Sequence, residues 1–111
     1  MSLQMLEEKI LWAAIEDYAG LYEVIWEFGN EIPPIPFDKI QTTVLSLLHQ
    51  GYIELFKCEE PYGEVTKIND GCIDILSDKK NWDPPELYAI SIKVSATESG
   101  EKYYKSLVNW T

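Results

Sequence analysis

The chain has 111 residues, of which 46% are hydrophobic and 13% aromatic, enough for one soluble globular domain to bury a core without covalent staples. Nine basic residues, all lysine, stand against 19 acids for a formal net charge of −10, and arginine is absent. That balance lacks the basic footprint of a nucleic-acid binder and the side chain that reads phosphate and guanine bidentately. No apolar run approaches the roughly 18 residues of a membrane span.

At the amino terminus, residues 1–9 (MSLQMLEEK) hold neither a basic leader nor an apolar h-region, so no secretory signal and a cytoplasmic location are expected. From Leu3 to about Ala19, residues Leu3, Leu6, Ile10, Ala13, Ala14 and Tyr18 fall at helical spacing, and Leu11, Trp12 and Ile15 widen the stripe. A helix apolar over more than half its circumference is either central to the core or shared with a second chain. Gly20 interrupts the pattern, and Leu21, Val24, Ile25 and Phe28 restart it up to Gly29-Asn30. The outer face of this second helix carries Glu23 and Glu27, with Tyr22 and Trp26 beside them, each pair four residues apart. Ile32-Pro33-Pro34-Ile35-Pro36 cannot be helix interior and reads as a stiff extended connector.

Phe37, Ile40, Val44, Leu47 and Leu48 form the stripe of a third helix, which Gly51 stops by taking the left-handed conformation cheaply. Tyr52-Ile53-Glu54-Leu55-Phe56 then switches to a period of two, a strand running on to Cys58. Residues 59–86 are turn-rich (Pro61-Tyr62-Gly63, Asn69-Asp70-Gly71, Asp83-Pro84-Pro85). Val65–Ile68 and Cys72–Leu76 are expected there as short strands joined by Asn69-Asp70-Gly71. Tyr88, Ile90, Ile92 and Val94 alternate with Ala89, Ser91, Lys93 and Ser95, a strand expected to pair antiparallel with Tyr52–Cys58. A last helix starts around Ser95–Thr97, with Ser95 and Glu98 at capping-box spacing and Tyr104, Leu107 and Val108 facing inward. Cys58 and Cys72 could face each other across a hairpin and bond, but a chain without an export signal favours two reduced thiols.

A helix of this length, one glycine and a strand with no intervening loop resembles the third helix and first wing strand of winged-helix domains. The run Thr97-Glu98-Ser99-Gly100, followed by Tyr103-Tyr104 and Leu107, is similar to the ending of many winged-helix regulators. With Leu47-Leu48-His49-Gln50-Gly51-Tyr52-Ile53-Glu54, the resemblance covers nearly the whole chain. It implies one α+β winged helix-turn-helix domain over residues 1–111, with a three-helix core, an antiparallel β-wing and a closing C-terminal helix. Its motifs are core and turn residues, so they imply a fold and name neither ligand nor subfamily.

In DNA-binding members of that superfamily the third helix enters the major groove and the wing touches phosphate. Carried onto this chain, the outward positions are Lys39, Thr42, Thr43, Ser46, His49 and Gln50, types that can hydrogen-bond base edges or simply form a solvated face. The flanks oppose DNA. Residues 1–37 hold seven acids and one lysine, and residues 59–86 hold eight acids and three lysines, so the wing would repel a phosphate ladder. No nucleophile elbow, phosphate loop or dinucleotide fingerprint is present, and a single histidine without Cys-x-x-Cys spacing gives a metal nothing to bind, so no catalytic residues, metal or cofactor are expected. The expectation is a non-catalytic protein-binding module whose acidic surface engages a basic partner, with Trp82 in a turn-rich segment as either an interface anchor or a loop packed down by its own indole. The alternative is a dimeric DNA-binding regulator. A homodimer is expected through the terminal helices, by way of Leu3, Leu6, Ile10, Tyr103, Leu107 and Trp110.

Overall fold

A computed structural model describes residues 2–16, 18–59, 63–86 and 89–108 of the chain. Among them the fold is α+β, with five α-helices and a four-stranded antiparallel sheet in the order β1-β4-β2-β3. Helix α1 (Leu3–Glu16) buries Leu6, Ile10 and Ala14 at successive i+4 steps, with Leu11 beside them three residues before Ala14. Three elements cover that wide apolar surface from within the chain: α3 (Phe37–His49), α5 (Glu98–Leu107) and β4 (Ile90–Ala96) all pack on α1. Leu6 and Ile10 are therefore core, not the dimer seam expected of them. Of the remaining seam residues, Leu3 is exposed and Tyr103 and Leu107 are half-buried against the core; Trp110 lies outside the described residues.

The break after α1 holds a two-residue strand, β1 (Ala19–Gly20), which pairs with Val94 and Lys93 of β4. Helix α2 (Leu21–Gly29) begins directly after it, and the Glu23 carboxylate reaches back to accept the Gly20 N–H at 3.2 Å. Leu21, Val24 and Phe28 turn into the core, as their spacing predicts. Trp26, beside Glu23 and Glu27 on the outer face, is 73% exposed.

Helix α3 ends as Gly51 predicts. Its φ is +80°, the Gly51 N–H donates to the Leu48 carbonyl and the Tyr52 N–H to the Leu47 carbonyl, the paired bonds of a Schellman motif. Strand β2 (Ile53–Glu59) follows and pairs antiparallel along its length with β4, from Ile53 opposite Ala96 to Glu59 opposite Ile90. The expected pairing is present, and Tyr88, its expected first residue, lies outside the described residues. The inward alternation of β4 holds only at one end: Val94 is fully buried, Ile92 half-buried, and Ile90 is 64% exposed where the sheet runs past the helices. Because β4 continues through Ala96, Ser95 stays in the sheet opposite Glu54 and the capping residue is Thr97, which accepts the Gly100 N–H at 3.0 Å. Thr97 also donates its hydroxyl to the Gly51 carbonyl at 2.6 Å and its N–H to the Tyr52 carbonyl at 3.0 Å. The end of α3 and the start of α5 are thus clasped together, and Tyr52 stacks on Tyr103 with ring centroids 4.4 Å apart.

Between β2 and β4 the chain makes β3 (Val65–Lys67) at the sheet edge, as expected, but Cys72–Ser77 is a helix, α4, rather than a strand. Gly71, at φ +75°, turns the chain so that the Ile75 N–H bonds to its carbonyl, and Cys72, Ile75 and Leu76 then share one face at i, i+3 and i+4. A 3-10 turn over Lys79–Trp82 lays the Trp82 indole inward. Trp82 is only 3% exposed, donates its indole N–H to the Leu76 carbonyl at 3.0 Å and meets the Phe37 ring edge-on at 5.4 Å. It anchors its own loop and presents nothing to a partner. Cys58 and Cys72 are both free thiols.

Candidate functional site

Two surfaces carry the polar side chains that could recognise another molecule. The first is the outer face of α3. Lys39, Thr42, Ser46, His49 and Gln50 are exposed there, and Gln50 Nε2 bonds to Ser46 Oγ at 3.0 Å. Thr43 is not part of that face: it is buried, with its hydroxyl donating to the Lys39 carbonyl at 2.7 Å one turn earlier. The turn-rich segment between β2 and β4 leans on the same helix. Gln41 donates to the Leu76 carbonyl at 2.7 Å, and His49 and Leu48 share a cleft with Asn69, Cys72, Ile73 and Asp74. Every described carboxylate of that segment, from Glu59 and Glu64 through Asp70, Asp74, Asp78 and Asp83 to Glu86, is exposed. The cleft at the carboxyl end of α3 thus holds the Asp74 carboxylate beside His49. Burial and then the Asp70 charge hold the Cys72 thiol above its ordinary pKa, so it stays protonated and poorly nucleophilic.

The second surface is a groove of about 540 Å³ between α1 and α2, closed behind by β1 and β4. Lys9, Trp12, Ala13 and Glu16 line it from α1, Glu23, Val24 and Glu27 from α2, and Tyr18, Ala19 and Lys93 from the floor. The α1 residues come from successive turns, and Glu23 and Glu27 of α2 are one turn apart. Trp12 is 45% exposed yet held in place, one side of its indole stacked on Tyr104 with centroids 5.6 Å apart. Tyr18 is similarly fixed, edge-on to Phe56 at 4.9 Å. Lys9 pairs with Glu31 at 2.5 Å, and Glu23 is engaged by the Gly20 N–H. Glu16 and Glu27 have no hydrogen-bond or ion-pair partner among the described residues. The groove is thus aromatic on its walls and anionic at its rim, with Trp26 exposed one residue before Glu27 on the same helix.

Sequence reasoning placed Glu23 and Glu27 on an outer face and singled out Trp26, but not the groove. Trp12 and Tyr18 read as part of the apolar stripe of the first helix, with nothing to turn them toward α2. The available signal was the short break at Gly20, which obliges two adjacent helices to face each other. Elsewhere, the Tyr103 hydroxyl donates to both oxygens of the buried Glu7 carboxylate at 3.2 Å; burial and then the Glu7 charge push the Tyr103 pKa upward. Among the described residues no helix is long and apolar enough to cross a membrane. Among the described residues no group of three or more His, Cys, Asp or Glu side chains converges as metal ligands. Comparisons with protein-family models, with curated proteins and with solved structures find no match to this chain.

Proposed function

We propose that the chain is a non-catalytic protein-binding module of winged-helix type, built to engage a basic protein partner. Supporting the winged-helix reading are the three helices, the glycine-stopped passage from α3 into β2, the long β2–β4 pair and the Thr97-to-Gly100 start of the closing helix. The observation that carries the binding reading is the α1–α2 groove, where held but exposed aromatic rings and uncompensated carboxylates converge in the segment of greatest negative charge. Aromatic side chains anchor interfaces, and a one-signed field steers the oppositely charged partner to them.

Docking of α3 into DNA is the second reading, favoured by the exposed row of Thr42, Ser46, His49 and Gln50. The carboxylates of residues 70–74 beside that row oppose it. Backbone-amide resonance titrations with polylysine and with a random DNA duplex, each at low and high salt, separate the two. Polylysine is expected to shift residues of α1 and α2, more weakly as salt rises, and the duplex to shift none. Salt-dependent shifts along α3 with the duplex would overturn the proposal.

A further inference from the structure

We propose that the α1–α2 groove is a socket for a single arginine side chain on that basic partner. Its guanidinium lies against the Trp12 and Tyr18 rings, and its N–H groups are taken by Glu16 and Glu27. The inference rests on the acidic-module reading and sharpens it from a charged surface to one residue type. Three observations converge on a guanidinium, and a fourth excludes this chain as its source.

The groove, at about 540 Å³, falls within the ~300–1,000 Å³ of small-ligand sites, ample for one long side chain and its backbone. Its two aromatic rings are fixed by Tyr104 and Phe56, so stacking a planar cation on them freezes little further motion. Glu16 and Glu27 stand on different helices with no partner among the described residues, so they approach the occupant from two walls, which a forked donor satisfies and a point charge does not. The fourth observation is compositional: the chain contains no arginine, so neither its own side chains nor a second copy can fill the socket. A second copy is further disfavoured by the net charge of −10.

Lys9 and Lys93 also line the groove. Lys9 is neutralised by Glu31, and Lys93 is outnumbered by three carboxylates, so the site remains anionic.

The test uses the isotopically labelled full chain and three Gly/Ser peptides identical except for one central residue: arginine, lysine or citrulline. The arginine peptide is expected to shift the Trp12 indole N–H and the Ala19 and Gly20 amides saturably, while the buried Trp82 indole stays unchanged as an internal reference. Citrulline, isosteric but neutral, should give no shift, and lysine should bind several-fold more weakly. The double variant Glu16→Gln/Glu27→Gln changes only exposed side chains and should weaken arginine binding about tenfold with an unaltered Trp82 signal. Equal binding of arginine and lysine, equal binding of citrulline, or shifts that avoid Trp12 would each overturn the socket. Polylysine binding without a single-arginine response removes the socket and leaves the acidic module standing; silence of both removes both.

Discussion

Gly100→Ala is the sharpest single test of how the closing helix is attached. A Cβ at this position would come within 2.8 Å of the Tyr52 carbonyl carbon and closer still to its oxygen, so α5 must move off the end of β2. In an unconstrained helix the same change stabilises by about 1 kcal/mol, because alanine loses less backbone entropy. Here the displacement strains or breaks the Thr97 cap, at about 1 kcal/mol. It also disturbs the Tyr52–Tyr103 stack, at about 1 kcal/mol, and overpacks a close contact, at about 1–3 kcal/mol. The clash outweighs the propensity gain, and the expected net loss is roughly 2–4 kcal/mol, or on the order of 10–20 °C in Tm for a domain of this size. Urea and thermal unfolding followed by circular dichroism measure it, with Gly29→Ala as the control: nothing lies within 4 Å of a Cβ built there, and no loss is expected. A Gly100→Ala variant as stable as the parent would refute the clasp between α3, β2 and α5.

Tyr103→Phe removes the donor to a carboxylate that is only 8% exposed and should cost about 1–3 kcal/mol at neutral pH in urea unfolding. Because Tyr103 holds its proton more tightly folded than unfolded, native stability should fall as pH rises from the ordinary tyrosine value of 10.0 through the raised one, and that alkaline slope should shrink in the variant. Trp82→Ala empties a buried site at the junction of α3, α4 and the 3-10 turn and should cost about 3–5 kcal/mol; Trp82→Phe, which loses chiefly the bond to the Leu76 carbonyl, about 1 kcal/mol. Thiol titration of the native protein at pH 8 should find Cys72 reacting more slowly than a free cysteine and Cys58, nearly fully buried, slower still; rapid labelling of both would contradict the packing around α4 and β2.

The three large helices were legible because each keeps one apolar stripe at a constant period, and the α3–β2 junction because Gly51 is required there by its positive φ. The strand Ile90–Ala96 was legible as a strand, though its inward alternation fails at Ile90, where no layer covers that end of the sheet. Cys72–Ser77 misled because Cys72, Asp74 and Leu76 satisfy a period of two as readily as Cys72, Ile75 and Leu76 satisfy a helical one. Only the turn at Gly71 and the backing of α3 decide between them. Burial of Trp82 and Thr43 likewise depends on α4 and the main chain of α3, partners that local spacing does not reveal. The groove was illegible for a stronger reason: its walls come from α1, α2, β1 and β4, and no window of sequence contains them together.

That last point bears on when the groove exists. Its floor is stitched by Ala19 and Gly20 to Val94 and Lys93, residues near opposite ends of the chain, and Lys93 itself lines the groove. A growing polypeptide can therefore form α1 and α2 early and still have no groove until β4 has been synthesised and has closed the sheet against β1. Binding at this groove, as proposed above, would therefore require completed folding, and a fragment ending before Ile90 should leave α1 and α2 without it.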